Sequence, residues 1–233
     1  MLSYRTLFLL LSVMLWVAGC DGTISVTFST GPQPFEVSTQ SLSLPAELEA
    51  PDGRIGSVPC GPMGMCPSTE DVVITCEADV CDPAERTVSV PVGNVIDVDD
   101  LLAETRDVGL RIVDAYEIVS VVYDVQSNTF TLPVEDIVIY WGPEAANAVD
   151  PMLGVRRLGT VPRLEAGTTL NDGQVIIDVD GAAELSDYLV DGGSRIRFFA
   201  QTTADLDPGD PFPAGGVSLT VNATVRAVGS VFD

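Results

Sequence analysis

The chain has 233 residues, 46% of them hydrophobic, with 34 acidic and 11 basic side chains and a formal charge of −23 at pH 7. A surface this acidic repels polyanions and lacks the basic footprint that holds phosphate backbones, which excludes nucleic acid as a partner. Every basic residue is Arg and there is no His, so neither a Ser-His-Asp triad nor a Ser-Lys dyad can be assembled.

The first segment reads as a signal peptide: Arg5, an apolar run over residues 7–18, then small residues before a cysteine. As a helix the run rises only ~18 Å, too little for a hydrocarbon core of ~30 Å. Val17-Ala18-Gly19-Cys20 resembles the lipobox of bacterial lipoproteins. The resemblance implies cleavage after residue 19, a diacylglyceryl thioether on Cys20 and an acylated new amino terminus, which together anchor a protein stably where a single acyl chain does not. The membrane is thus an expected partner through lipid, with the outer membrane favoured over the inner. Residues 1–19 are the signal peptide, and residues 20–233 are read as one folded unit.

Residues 20–50 hold the anchored N-terminus and the first strands. Thr23-Ile24-Ser25-Val26-Thr27-Phe28 and the alternation from Phe35 to Leu42 predict two strands split by Gly31-Pro32-Gln33-Pro34. Residues 51–85 are rich in Gly and Pro and contain Cys60, Cys66, Cys76 and Cys81. In an exported protein an even set of cysteines reads as two disulfides, with three pairings open. The spacings lack the paired CxxC knuckles of zinc ribbons, so no metal is assigned there.

Residues 86–233 are read as the main β-sandwich. Strands are predicted at 87–92 and 94–98, then a helical turn at 99–105, one or two long strands at 110–125, a turn at Ser127-Asn128, a strand at 129–132 and another at 136–141. A helical turn is expected at 144–148 and mostly irregular chain to residue 167. A strand at 174–179 precedes the best helix, 182–190, with Asp180 as cap, Leu185, Tyr188 and Leu189 on one face, and Gly192-Gly193 as its stop. The last strands are predicted at 194–201 and 217–228. Many short strands with few helices indicate a mainly β fold, an antiparallel sandwich immunoglobulin-like in outline. The rhythm of strand followed by Gly-Pro is loosely similar to envelope lipoproteins of myxobacterial type, a likeness that transfers no function.

No GxSxG elbow or cofactor motif is found, so no catalytic residue is assigned and the chain is read as a non-enzyme. Asp97-Val98-Asp99-Asp100, Asp178-Val179-Asp180 and the loop from Asp205 to Asp210 gather oxygen ligands, yet none has EF-hand spacing, and Asp in such places ordinarily caps helices and makes turns. Structural calcium is the alternative use. Tyr140-Trp141 is the one aromatic pair that would suit a carbohydrate surface; adjacent strand residues face opposite ways, so one is expected in the core and the other packed at an edge or loop. The leading reading is a non-catalytic envelope lipoprotein with a structural or protein-interaction role and an envelope protein as partner. The alternative is a calcium-assisted adhesin or glycan-binding module.

Overall fold

The computed structural model describes residues 23–39, 44–48, 52–68, 74–83, 85–103 and 112–230. The expected signal peptide and Cys20 lie outside the described residues, as do residues 40–42 of the expected second strand, 104–105 of the expected helical turn and 110–111 of the expected long strand. Among the described residues no helix is long and apolar enough to cross a membrane.

Two antiparallel sheets pack face to face into a β-sandwich. The first is centred on β12 (Gly216–Ser230), which pairs along its whole length with β6 (Ile112–Asn128). Its other side is shared by β1 (Thr23–Ser29) and β2 (Gln33–Ser38), laid end to end. Pro34 sits within β2 opposite Thr220, a position open to proline because an edge strand need not donate on its outer side. β9 (Leu170–Gln174) forms the far edge beside β6.

The second sheet runs, in order, β10 (Ile176–Ile177), β8 (Arg156–Val161), β7 (Ile137–Pro143), β11 (Arg195–Asp205) and β5 (Glu85–Asp97). The strands expected at 87–92 and 94–98 are therefore one edge strand. Gly93, at φ +57°, lies where the β5–β11 register shifts, and Gln33 of β2 fills the space a side chain there would need. Its amide oxygen accepts from Asn94 N at 3.2 Å, tying the two sheet edges together. On the opposite flank the chain itself closes the sandwich, because β9 belongs to the first sheet and β10, two residues later, to the second. Val175 marks this corner, its N–H donating to Val121 O; strands that switch sheets make such corners.

Further local expectations differ. Ser127 and Asn128, expected to form a turn, are the last residues of β6 and pair with Ser218 and Val217. Residues 129–132 are not a strand; Thr129 N and Thr131 N reach Gly216 O and Ala214 O from an irregular segment. The stretch expected to be irregular up to residue 167 contains β8, whose last four residues are buried. The strand expected at 174–179 holds the end of β9, the corner at Val175 and β10, while Asp178 and Val179 open the helix that follows.

Helix α1 (Val98–Ala103) and helix α2 (Val179–Val190) cork one end of the sandwich. Leu185 and Leu189 enter the main core with Phe28, Tyr116, Ile196 and Val225. The N-cap of α2 is Asp178, not Asp180: its carboxylate accepts from Gly181 N at 3.0 Å, while Asp180 lies in the first turn. The helix ends at Val190 and Gly192 follows at φ +97°, the left-handed geometry that glycine takes without strain.

Candidate functional site

The end opposite the helices carries the cysteine region. β3 (Thr75–Glu77) and β4 (Val80–Asp82) form a hairpin whose turn residues, Ala78 and Asp79, both have positive φ, as a type I′ turn requires. Cys76 and Cys81 face each other across the hairpin, and each reaches into the preceding loop. The bridges are Cys60–Cys76 and Cys66–Cys81, which settles the pairing that spacing left open. Sulfurs of Cys60, Cys66 and Cys81 lie within 4.8 Å of one another, but this closeness is the two bridges lying side by side. Sulfur already bonded to sulfur is not the thiolate that zinc needs. Around the bridges Leu48, Ile74 and Cys81 form a small buried cluster of their own, separate from the main core.

This unit is hydrogen-bonded to the sandwich through the loop between β11 and β12. Ile55 N donates to Asp210 O, Gly209 N to Ile55 O and Phe212 N to Gly53 O. Arg54 Nη1 adds a bond to Gly209 O at 2.7 Å, and Ile55 and Leu206 are buried in the main core. At the outer tip Met63 is 92% and Met65 58% exposed. Met63 has φ +64°, a backbone state uncommon for any residue but glycine.

The three acidic clusters have different fates. Asp97 Oδ1 accepts from Asp99 N and Asp100 N and so caps α1, with Arg195 Nε 3.5 Å from its other oxygen. Asp178 caps α2 and has Arg157 Nε 3.9 Å away. The loop from Asp205 to Asp210 is different. There the charge of Asp205, aided by desolvation, Asp82, Asp210 and a hydrogen bond with Asp205, raises the pKa of Asp207. Like charges crowd at the cysteine end, although among the described residues no three carboxylates bring oxygens within 4.8 Å of one another.

No family model and no curated protein matches the chain. Among solved structures, Desmodium yellow mottle tymovirus is similar at TM-score 0.21 and 9% identity, over 100% of this chain and 96% of that one. Merkel cell polyomavirus VP1 in complex with disialyllactose is similar at TM-score 0.24 and 12% identity, over 94% and 99%. Likenesses this slight carry no argument about fold or function.

The aromatic pair is divided as the strand alternation predicts. Trp141 is 3% exposed, donates from Nε1 to Gly181 O at 2.9 Å and packs on Tyr188 with ring centroids 5.4 Å apart. Tyr140 is half-buried on the other face with Ala146, Val155 and Phe199, its hydroxyl donating to Gln201 Oε1. Both rings hold the fold together, and neither forms an open platform for a sugar.

Sequence reasoning did not find a cavity of about 250 Å³ between the sheets at the cysteine end. Val37, Val88, Phe130 and Val134 form its floor, and Glu135 and Asp205 stand at its mouth. Thr202, which also lines it, donates from its hydroxyl to Glu135 O at 3.3 Å. Its walls come from β2, β5, β11 and the segment before β7, so no single stretch of sequence contains a signal for it.

Proposed function

We propose that this chain is a non-catalytic envelope lipoprotein, acylated at Cys20, that presents its disulfide-pinned end to a protein partner. The observation that carries the reading is the arrangement of the two ends. β1 begins at Thr23, opposite Ser230, while the start of β12 pairs with the end of β2 beside the cavity and the acidic loop. The 15 residues of β12 span roughly 50 Å at the rise of an extended strand. With lipid on Cys20, three residues before β1, the helix-corked end lies toward the membrane and the cysteine end points away from it. A tip fixed by two disulfides, with exposed apolar side chains, loses little conformational freedom when it is covered, which favours association.

Peptide mass analysis of protein extracted from its native membrane without reductant tests the anchor: an acylated Cys20 and no free thiols are expected. Membrane retention and lipid labelling of C20S like those of the wild type would overturn it. For the interaction, a photo-crosslinker at Met63 is expected to give a discrete adduct in the native envelope and one at Val190, at the helix end, none; equal labelling from both positions would overturn that reading. The acidic loop at the same tip supports the second reading, a calcium-assisted adhesin or glycan-binding module. Calcium-dependent thermal stabilisation that disappears in D207N would favour it.

A further inference from the structure

The geometry points to the cavity at the cysteine end as a binding site for a small hydrophobic amine: one ring or a short carbon chain bearing a cationic head. Its volume is about 250 Å³, whereas benzene is already accommodated in an apolar cavity of ~150 Å³, so a ring with a two-carbon arm fits and a lipid with long chains does not.

The floor sets the body of the ligand. Val37, Val88, Phe130 and Val134 are all core side chains less than 10% exposed, and they offer no hydrogen bond. A sugar placed there would lose hydration at several hydroxyls without replacement, which costs more than the apolar contact returns. The mouth sets the head. Glu135 and Asp205 are carboxylates, among the described residues no Arg lines the cavity, and the chain as a whole carries −23, so fatty acids and other anions are repelled. Arg163 lies 3.8 Å from Glu135 Oε1 and 3.6 Å from Glu165, with all three side chains at least half exposed. Such pairs are weak, and an incoming ammonium competes for Glu135 on even terms. An amine with its ring on the valines and its nitrogen at the mouth meets both demands together, and the hydroxyls of Ser38 and Thr203 in the lining are within the same wet rim.

The experiment is an NMR titration of the folded, disulfide-intact chain with 2-phenylethylamine, 2-phenylethanol and phenylacetate at low and high salt. The amine is expected to bind saturably, shifting Val88 and Phe130, with affinity about tenfold above that of phenylacetate and the alcohol between them. The gap is expected to shrink at high salt and in the double variant E135Q/D205N. The substitution A204L, which fills the cavity wall, is expected to abolish binding of all three; if that variant does not fold, the charge series on the native cavity decides alone. No saturable binding of the amine, equal affinity for the three probes, or shifts confined to another surface would overturn the proposal.

Discussion

Gly181 is the position where a single methyl group tests the packing logic most severely. It lies in the first turn of α2, and a Cβ built there would stand 1.6 Å from Arg157 O of β8, a backbone atom that cannot swing aside. To restore ordinary contact the first turn of α2 must retreat from the sheet by about 2 Å. Two bonds then stretch: Trp141 Nε1 to Gly181 O, now 2.9 Å and buried, and Gly181 N to the Asp178 cap, now 3.0 Å. The buried bond is worth about 1–3 kcal/mol when its donor, Trp141 Nε1, is orphaned, the cap about 1 kcal/mol, and the residual overpacking about 1–3 kcal/mol. These overlap, because one shift causes all three. For G181A we therefore expect a loss of about 3 kcal/mol, a drop of roughly 6–12 °C in Tm for a domain of this size. Urea unfolding followed by tryptophan fluorescence is well suited, because Trp141 is the only Trp besides Trp16 and sits on the perturbed bond. A midpoint and an emission spectrum matching the wild type would refute the close approach of α2 to β8.

Each disulfide closes a loop of 15 or 16 residues, so C66S/C81S is expected to lose about 3 kcal/mol; limited proteolysis should then cut between residues 60 and 82 while the far-UV β signal persists, and loss of the whole signal would show that the cysteine unit is not a separate cluster. Because the pKa of Asp207 is raised in the fold, its contribution is present below the unfolded carboxyl pKa and lost as pH rises through the folded value. D207N should accordingly raise Tm at neutral pH, with the advantage fading in acid and in high salt; a pH-independent effect would contradict the like-charge explanation. M63G removes a left-handed non-glycine residue, and a gain of up to about 1 kcal/mol is expected, measured by calorimetry; a clear loss would mean that the Met63 side chain packs in the free protein.

The sandwich was legible because its longest strands are written in Val, Ile, Thr and Tyr, and β6, β7, β11 and β12 fall close to where that pattern predicts them. β8 was not. Arg156-Arg157 resembles exposed loop and Gly159 resembles a breaker, yet a side chain at Gly159 would strike Ile176 O at 2.6 Å, so the glycine is there to admit β10. The displacement of the helix cap from Asp180 to Asp178 has a similar origin, since Gly181 reads as a poor helix residue until its contact with Arg157 is seen. The four cysteines were legible as a disulfide set, whereas their pairing follows from the register of the β3–β4 hairpin, which spacing does not encode. The cavity was hidden for the plainest reason: its floor is drawn from residues 37, 88, 130 and 134, close only after folding.

The laying of β1 against β12 also fixes how the molecule bears tension. β1 starts at the terminal end and runs toward the cysteine end, matched to β12 over seven register pairs from Thr23↔Ser230 to Ser29↔Thr224. A pull between residue 23 and the disulfide tip acts along this ladder and not across it. All seven pairs are sheared at once instead of opening in succession like a zip, so the first strand is a mechanical clamp against force applied at residue 23.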